Sequence, residues 1–481
     1  MVKPPDDPRT LHYLNERIIP RNQDCHSDKT AFSVVGKTYP KPDAYEKVTG
    51  KARYTADLKR PRCLVGKLLR STHAHARLVR VDVSKALQIP GVFACVSGSD
   101  FGELIGIIPW TKDEPVLAKD VVRYIGEPIA AVAATSESVA QQALACIDVH
   151  YEPFTAHFSP EQAMVPDAVL IHSQAPGNAS KSVDWEFGEV DSAFARSQVE
   201  VSGNFHFEAT THAALETHAV LAEMGADGRL CVWSSTQTPY YLHRELATVL
   251  GMPAHQIRVI RPHIGGGFGG KSEPFGHEIC AAYLAKQTGR PVKFVFSREE
   301  TFLTHRGRHA MDMDLRIGYL PDEGLVMDYQ ALLDGGAYSS YGMITTYYAG
   351  TLNAGLYRVP HYRWKSQRVF TNKPPAGPKR GHGTVQPRFA IECLVDQLCE
   401  KLGRDPIAFR RELALGPNTE TVNGLRIGSS GFVTCLEKSA DQSGWYQKFR
   451  KMPFGHGIGI AGSWYLSGTN YPINPESNPQ S

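Results

Sequence analysis

The segment HIGGGFGGKSE constrains this chain more than any other part of it. Gly265, Gly266, Gly267, Gly269 and Gly270 surround Phe268, between an expected strand at Gln256–Ile260 and an expected helix beginning at Gly276. Glycine loses the most conformational freedom on folding, so this density is costly to order. Such a loop is expected where backbone amides must approach an anionic ligand near a helix N-terminus. The plainer alternative is a tight packing turn. Two generic patterns also fit: Gly265-x-Gly267-x-x-Gly270 matches a dinucleotide fingerprint, and Gly265-x-x-x-x-Gly270-Lys271-Ser272 matches a nucleoside triphosphate loop. Neither finds its context. The acid expected after the next strand comes late, at Glu299 and Glu300, and only Asp328, behind the short LVM, could hold a magnesium ion.

The loop lies in a chain of 481 residues, long enough for several domains. Residues 1–42, rich in Pro, Asp, Arg and Lys, are expected as an extended arm that wraps a partner. Residues 43–156 carry short strands at Leu64–Leu69 and Leu78–Val83, an apolar strand at Ile129–Ala134, a helix capped by Ser136 and the strand DVHYEP. That order predicts an α/β domain. Residues 157–180, interrupted by proline, are expected as a linker. Residues 181–415 form a second domain, with helices at Gly276–Thr288 and Ile391–Leu402, each ended by a glycine, and a further helix restarted by Asp405 and Pro406. Residues 416–481 return to a glycine-rich, strand-like sequence, GHGIGIAGSWYLSG, followed by a polar tail. This strand is expected to leave an apolar edge for another chain. The fold class is α/β (α+β).

Charge narrows the partners. Lys and Arg number 52 against 49 Asp and Glu, and no charge block argues for nucleic acid or an anionic membrane. No apolar run approaches the roughly 20 residues that span a bilayer, and the start has no basic-then-apolar leader, so a cytoplasmic location is the expectation. The nine cysteines include no Cys-x-x-Cys pair. Neither a disulfide framework, an iron–sulfur cluster nor a structural zinc site is therefore expected in this chain, and without a credible dinucleotide site no flavin is expected either.

Two further segments are chemically suggestive. In PKRGHGTVQPRFAIE, Arg380, His382 and Arg388 sit in a glycine-interrupted turn before a helix containing Glu392. A cationic turn of this kind can close over a phosphate or an oxo ligand, or can be a solvated surface loop. In WSSTQTPYYLHRELATVLGM, Gln237 stands between a strand and a helix, where its amide could donate to a ligand or serve structure alone.

The order STQTP, IGGGFGGK, SREETFLTHRGRH, DGGAYSSYG and KRGHG…PRFAIE resembles the large, molybdenum-binding subunit of the xanthine dehydrogenase/aldehyde oxidase family. The region KVTGKARYTADL through VHYEP is similar to that family's N-terminal hammerhead domain. The resemblance implies a hammerhead-like domain followed by the first molybdenum-cofactor-binding domain, with residues 416–481 entering the second. It also implies a molybdenum–molybdopterin cofactor, with the cytosine dinucleotide form as an option. By motif position, Gln237 is the donor facing the oxo group of molybdenum, and Phe268, with Gly267 and Gly269, forms the wall beside the metal, while Gly266 and Gly270 join the cofactor-binding residues. Arg380, with Gly381 and His382, forms the turn over it. Glu273 and His382 face the substrate, the latter where purine-oxidising members carry an aromatic ring.

Two departures bear on the substrate. Ser272 stands where purine enzymes carry an acid, and Glu273 comes one place later, which argues against purines. PKRGHG lacks the copper-holding cysteine of carbon monoxide-oxidising relatives. The KRGHGT form looks more like members acting on aromatic acids, heterocycles or aromatic coenzyme A thioesters, such as 4-hydroxybenzoyl-CoA reductase. The family's catalytic base, a glutamate near the C-terminus, has no counterpart here. A separate subunit carrying the second molybdenum domain is expected to supply it, with iron–sulfur and FAD subunits taking the electrons. A nucleotide-dependent ATPase using the 265–272 loop and an inactive truncated scaffold are the alternatives.

Overall fold

The computed structural model describes residues 34, 37–108, 111–304 and 306–465, and it divides into two compact units, Met1–Ala52 and Arg53–Ser481. In the first, the helix Ala44–Val48 buries no side chain and carries an Asp43–Lys47 ion pair at 2.6 Å. Most of the arm expected at 1–42 lies outside the described residues.

Two sheets organise the second unit. The larger has seven strands in the spatial order Ile257–Ile260, Leu230–Ser234, Ala219–Met224, Val292–Val295, Leu64–Arg70, Pro128–Ala134 and Val92–Ser97. Pro128–Ala134 reads as a run of small apolar residues because it is central: six of its seven residues are buried, with Leu64–Arg70 on one side and Val92–Ser97 on the other. Leu64 and Val65 pair in parallel with Val292 and Lys293. The two regions expected as successive domains therefore share one sheet. The periodicity of a strand reports its faces but not its partner, which here lies more than two hundred residues away.

The second sheet has five strands in the order Val199–Phe207, Met311–Leu320, Gly324–Asp334, His361–Val369 and Ala179–Phe187. The helix Val385–Leu402 packs on it through Ile391, Leu394, Val395 and Leu398, all fully buried. This helix begins six residues before the expected Ile391. Pro387 lies in its first turn, where a missing N–H costs nothing, so the proline does not delay the start. Asp405 caps the following helix, Pro406–Leu413, by accepting from the backbone amides of Ile407 and Ala408 at 2.9 Å each.

The stretch expected as a linker is instead a packed strap. Asn178, fully buried, accepts from Ile171 N at 2.8 Å and donates to Ala163 O at 2.9 Å, and Asn372 Oδ1 accepts from His157 N at 2.8 Å. Its polar residues, which read as solvated spacer, satisfy backbone groups inside the fold. The expected strand within GHGIGIAGSWYLSG is also absent among the described residues. Gly462 N donates to Glu392 Oε2 at 2.9 Å and Trp464 Nε1 donates to Leu352 O at 2.6 Å, so the segment lies back on its own chain as irregular structure. No described helix is long and apolar enough to cross a membrane. The eight described cysteines are all unpaired.

The helix Gly276–Thr288 covers the seven-stranded sheet, and its third residue, Glu278, is a buried carboxylate. Glu278 accepts from Phe275 N at 2.8 Å and from Ser234 Oγ at 2.5 Å. Burial pushes it up to about 7, with the Ser234 hydroxyl acting in the opposite direction. A carboxyl raised in the fold contributes stability that is complete below its ordinary value of 4.5 and is lost as pH rises through 7. Glu278→Gln, neutral at every pH, should remove this component of the decline in stability between pH 4.5 and 7, read by denaturant melts at several pH values. An unchanged pH profile would show that Glu278 does not titrate in that range.

Candidate cofactor site

After the strand Ile257–Ile260 the glycine loop turns back against two other segments. Gln237 Oε1 accepts from the backbone amides of Gly269 at 3.0 Å and Lys271 at 3.2 Å, and Gln237 N donates to Lys271 O at 2.7 Å. A Cβ at Gly267 would lie 2.4 Å from Gln237 Oε1. At Gly269, with φ of 101°, a Cβ would lie 2.3 Å from Pro378 O, so both the conformation and the approach demand glycine. The turn at 378–383 is tied to the same loop: Arg380 N donates to Phe268 O at 2.9 Å, and His212 Nε2 bridges to Pro378 O at 2.8 Å. The structure thus brings Gln237, the glycine loop and the Arg380 turn together as one unit.

The orientation of Gln237 follows from these bonds. Two N–H donors fix the amide oxygen, leaving the Nε2 donors without a partner among the described residues. Phe268 adopts a left-handed φ of 53° and keeps its ring 47 % exposed. The backbone amides of Gly266, Gly267 and Phe268 make no hydrogen bond among the described residues. An exposed ring, three free amides and an unpartnered amide donor suit an oxygen-rich or phosphate-bearing group. The residues present therefore fit a molybdopterin cofactor, which residues 266–270 and Arg380, whose side chain is exposed, would hold.

Lys271 settles the triphosphate-loop alternative. Its ammonium is buried and pairs with Glu216 Oε2 at 2.7 Å, and the same carboxylate accepts from Gly265 N at 2.9 Å. A lysine held in this way cannot reach phosphates, and the helix begins only at Gly276, beyond the loop.

Glu273 does not face open space. It is 3 % exposed, accepts from Ser340 Oγ at both oxygens (2.6 and 2.7 Å) and lies 3.7 Å from Arg306 Nε. Burial raises its pKa and the Arg306 guanidinium opposes the shift. The expectation that it faces the substrate is at odds with this placement: the side chain turns inward, toward a buried cation that the sequence does not mark. His382 is 8 % exposed, with its ring centroid 5.5 Å from that of Tyr341 and 5.8 Å from that of Tyr348. Burial, and then Arg308, lower its pKa to about 3, so it is neutral at ordinary pH.

Sequence reasoning passed over several residues. Arg308 donates to the carbonyls of Arg380 and Gly381 and to Gln386 Oε1, and so holds the turn from behind. Tyr341, Thr345 and Tyr348 surround His382. Arg308 and Tyr341 lie inside the motifs SREETFLTHRGRH and DGGAYSSYG, whereas Thr345 and Tyr348 fall just beyond them, where the aromatic density of MITTYY is the one available signal.

Residues 171–413 match the molybdopterin cofactor-binding domain, and residues 49–155 match the aldehyde oxidase and xanthine dehydrogenase a/b hammerhead domain. The nicotinate dehydrogenase large molybdopterin subunit of Eubacterium barkeri is 35 % identical over 420 residues, covering 86 % of this chain and 97 % of that protein. The solved aldehyde oxidoreductase of Desulfovibrio gigas superposes with a TM-score of 0.79 at 29 % identity, over 85 % of this chain and 46 % of its own. Quinoline 2-oxidoreductase from Pseudomonas putida 86 gives 0.79 at 28 % identity, over 86 % and 55 %. The chain thus spans about half the length of these two solved relatives. With both domain types matched in order, and one relative covered almost end to end, this chain belongs to the aldehyde oxidase and xanthine dehydrogenase family, as a molybdopterin-binding chain.

Proposed function

We propose that this chain holds the molybdenum–molybdopterin cofactor of a multi-subunit oxidoreductase acting on an aromatic nitrogen heterocycle, and that other subunits complete the site. The observation that carries this reading is the hydrogen-bonded assembly of Gln237, the 265–270 loop and the Arg380 turn, in which the Gln237 Nε2 donors and the amides of Gly266, Gly267 and Phe268 are left without partners among the described residues. Nicotinate dehydrogenase and quinoline 2-oxidoreductase support a heteroaromatic substrate above an acyl-CoA thioester. When bound, the cofactor supplies the two-electron redox centre. The residues of this chain would hold it: Gln237 Nε2 and Arg380 would donate to its oxygens and Phe268 would shield it from water, while Arg308 keeps the turn in position.

The chain's own acids near the site are already engaged. Glu216 is held by Lys271 and Gly265 N, and Glu273 by Ser340 and Arg306. A catalytic base supplied by a second molybdenum-binding subunit fits this arrangement, with iron–sulfur and FAD subunits receiving electrons in the cytoplasm. The cofactor form, including the cytosine dinucleotide, is tested with the metal.

Co-expression with a candidate subunit carrying the second domain, followed by metal and pterin analysis and turnover of nicotinate with an artificial electron acceptor, tests the reading. The complex is expected to contain molybdenum and to turn over. The chain alone is expected to be silent, since a positioned base typically contributes 10²–10⁴-fold. A metal-free complex, or full activity from the chain by itself, would refute the corresponding part.

A further inference from the structure

Four buried side chains form a hydrogen-bonded series that ends at the site. Arg368 is fully buried, with its guanidinium fixed by Gly335 O at 2.7 Å, Tyr338 O at 3.0 Å and Ser180 Oγ at 2.9 Å. Its Nε donates to His309 Nε2 at 3.1 Å. A guanidinium only donates, so His309 Nε2 is the unprotonated nitrogen and the ring carries its proton on Nδ1. That Nδ1–H points to Thr345 Oγ1 at 3.4 Å.

The direction continues through the hydroxyl. Thr345 is fully buried, and its other neighbour is His382 Nε2 at 2.6 Å. If Thr345 donates to Nε2, both groups are satisfied. If Nε2 instead donated to Thr345, the buried hydroxyl proton would have no acceptor among the described residues, a cost that folded proteins avoid. His382 therefore also carries its proton on Nδ1, the reverse of the tautomer a free histidine side chain prefers in water. Nδ1 has no partner among the described residues, and the ring lies beside Tyr341 and Tyr348. Burial lowers the pKa of both histidines, so neither charges at ordinary pH.

We propose that Arg368, His309 and Thr345 hold His382 as a fixed Nδ1–H donor toward the substrate, so that the site selects a planar ring bearing a carboxylate. This specificity rests on the heteroaromatic reading above, whereas the direction of the series does not. Charge favours the carboxylate. Lys379 and Arg380 are consecutive in that turn, and Arg308 donates to the carbonyls of Arg380 and Gly381, so three cations belong to it. The acid at Glu273 is engaged elsewhere. His309, Thr345 and Arg368 are positioning residues, and His382 is the one that touches substrate.

Solid-state nitrogen-15 spectra of the histidine-labelled full chain, with His382 identified by difference from His382→Phe, read the tautomer directly. The expected result is Nδ1 protonated in the parent and in Thr345→Ser, with the proton no longer confined to Nδ1 in the near-isosteric Thr345→Val, where nothing donates to Nε2. A parent His382 protonated at Nε2 would overturn the series. In the assembled complex, Thr345→Val should raise KM for pyridine-3-carboxylate by roughly ten- to a hundredfold, the loss of one hydrogen bond to a charged group, with unsubstituted pyridine little affected. Equal effects on both compounds would overturn the specificity while leaving the tautomer result intact. A complex that turns over neither, with the expected tautomer, would refute the substrate reading and the specificity built on it, and leave the series standing.

Discussion

In the assembled enzyme, Gln237→Glu is expected to lower kcat by about 10²–10³-fold, with Tm within about 3 °C of the parent. Gln237 Oε1 holds the amides of Gly269 and Lys271, and a carboxylate keeps that acceptor in place. It also replaces the two outward N–H donors by an acceptor, which repels the oxygen that the amide is proposed to face. Gln237→Ala would mix this loss with a loosened loop and is the weaker experiment. Arg380→Ala should give a loss of the same order, because its side chain is exposed and only its backbone anchors the turn to Phe268. Parent turnover in both variants would remove Gln237 and Arg380 from the cofactor site.

The largest effect on stability is expected from Arg306→Met. Arg306 is 1 % exposed, pairs with Glu114, lies 3.7 Å from Glu273 and rests over the Phe275 ring with centroid at 5.0 Å. Removing one partner of a buried ion pair strands the other charges, at a cost of about 3–5 kcal/mol. The pH dependence gives a second readout. Burial raises Glu114 and Glu273 above their ordinary value of 4.5, and Arg306 is the main group opposing it. Without the cation both rise further. Carboxyls raised in the fold stabilise it below 4.5, and that contribution is lost as pH rises through the folded value. The variant's deficit against the parent should therefore be smaller at pH 5 than at pH 8, and adding Glu114→Gln should recover part of it. A deficit under about 1 kcal/mol at both pH values would show that the cluster relaxes on its own.

How far the sequence reached depends on whether a feature is local. The apolar run at 129–134, the Ser136 and Asp405 caps and the glycines ending two helices are read within a turn or two of chain, and the structure has them where they were expected. The glycine loop was legible as a place of close approach. What it approaches was not, because Gln237 and Pro378 arrive from segments far along the chain on either side. The strap at 157–180 misled for a related reason. Polar residues that satisfy buried backbone have the same composition as polar residues in water, and only their partners distinguish them.

The sequence by itself determined the family and the order of the two domain types, and it marked Gln237, the glycine loop and the Arg380 turn as separate motifs, because motif spacing and residue chemistry survive in one dimension. The tertiary structure alone decided that one sheet joins the two regions, that Lys271 and Glu273 turn inward to Glu216 and Arg306, and that His382 is tied through Thr345 and His309 to Arg368. Those outcomes depend on strand register, burial and the direction of hydrogen bonds between residues distant in sequence, and none of these leaves a local periodicity to read.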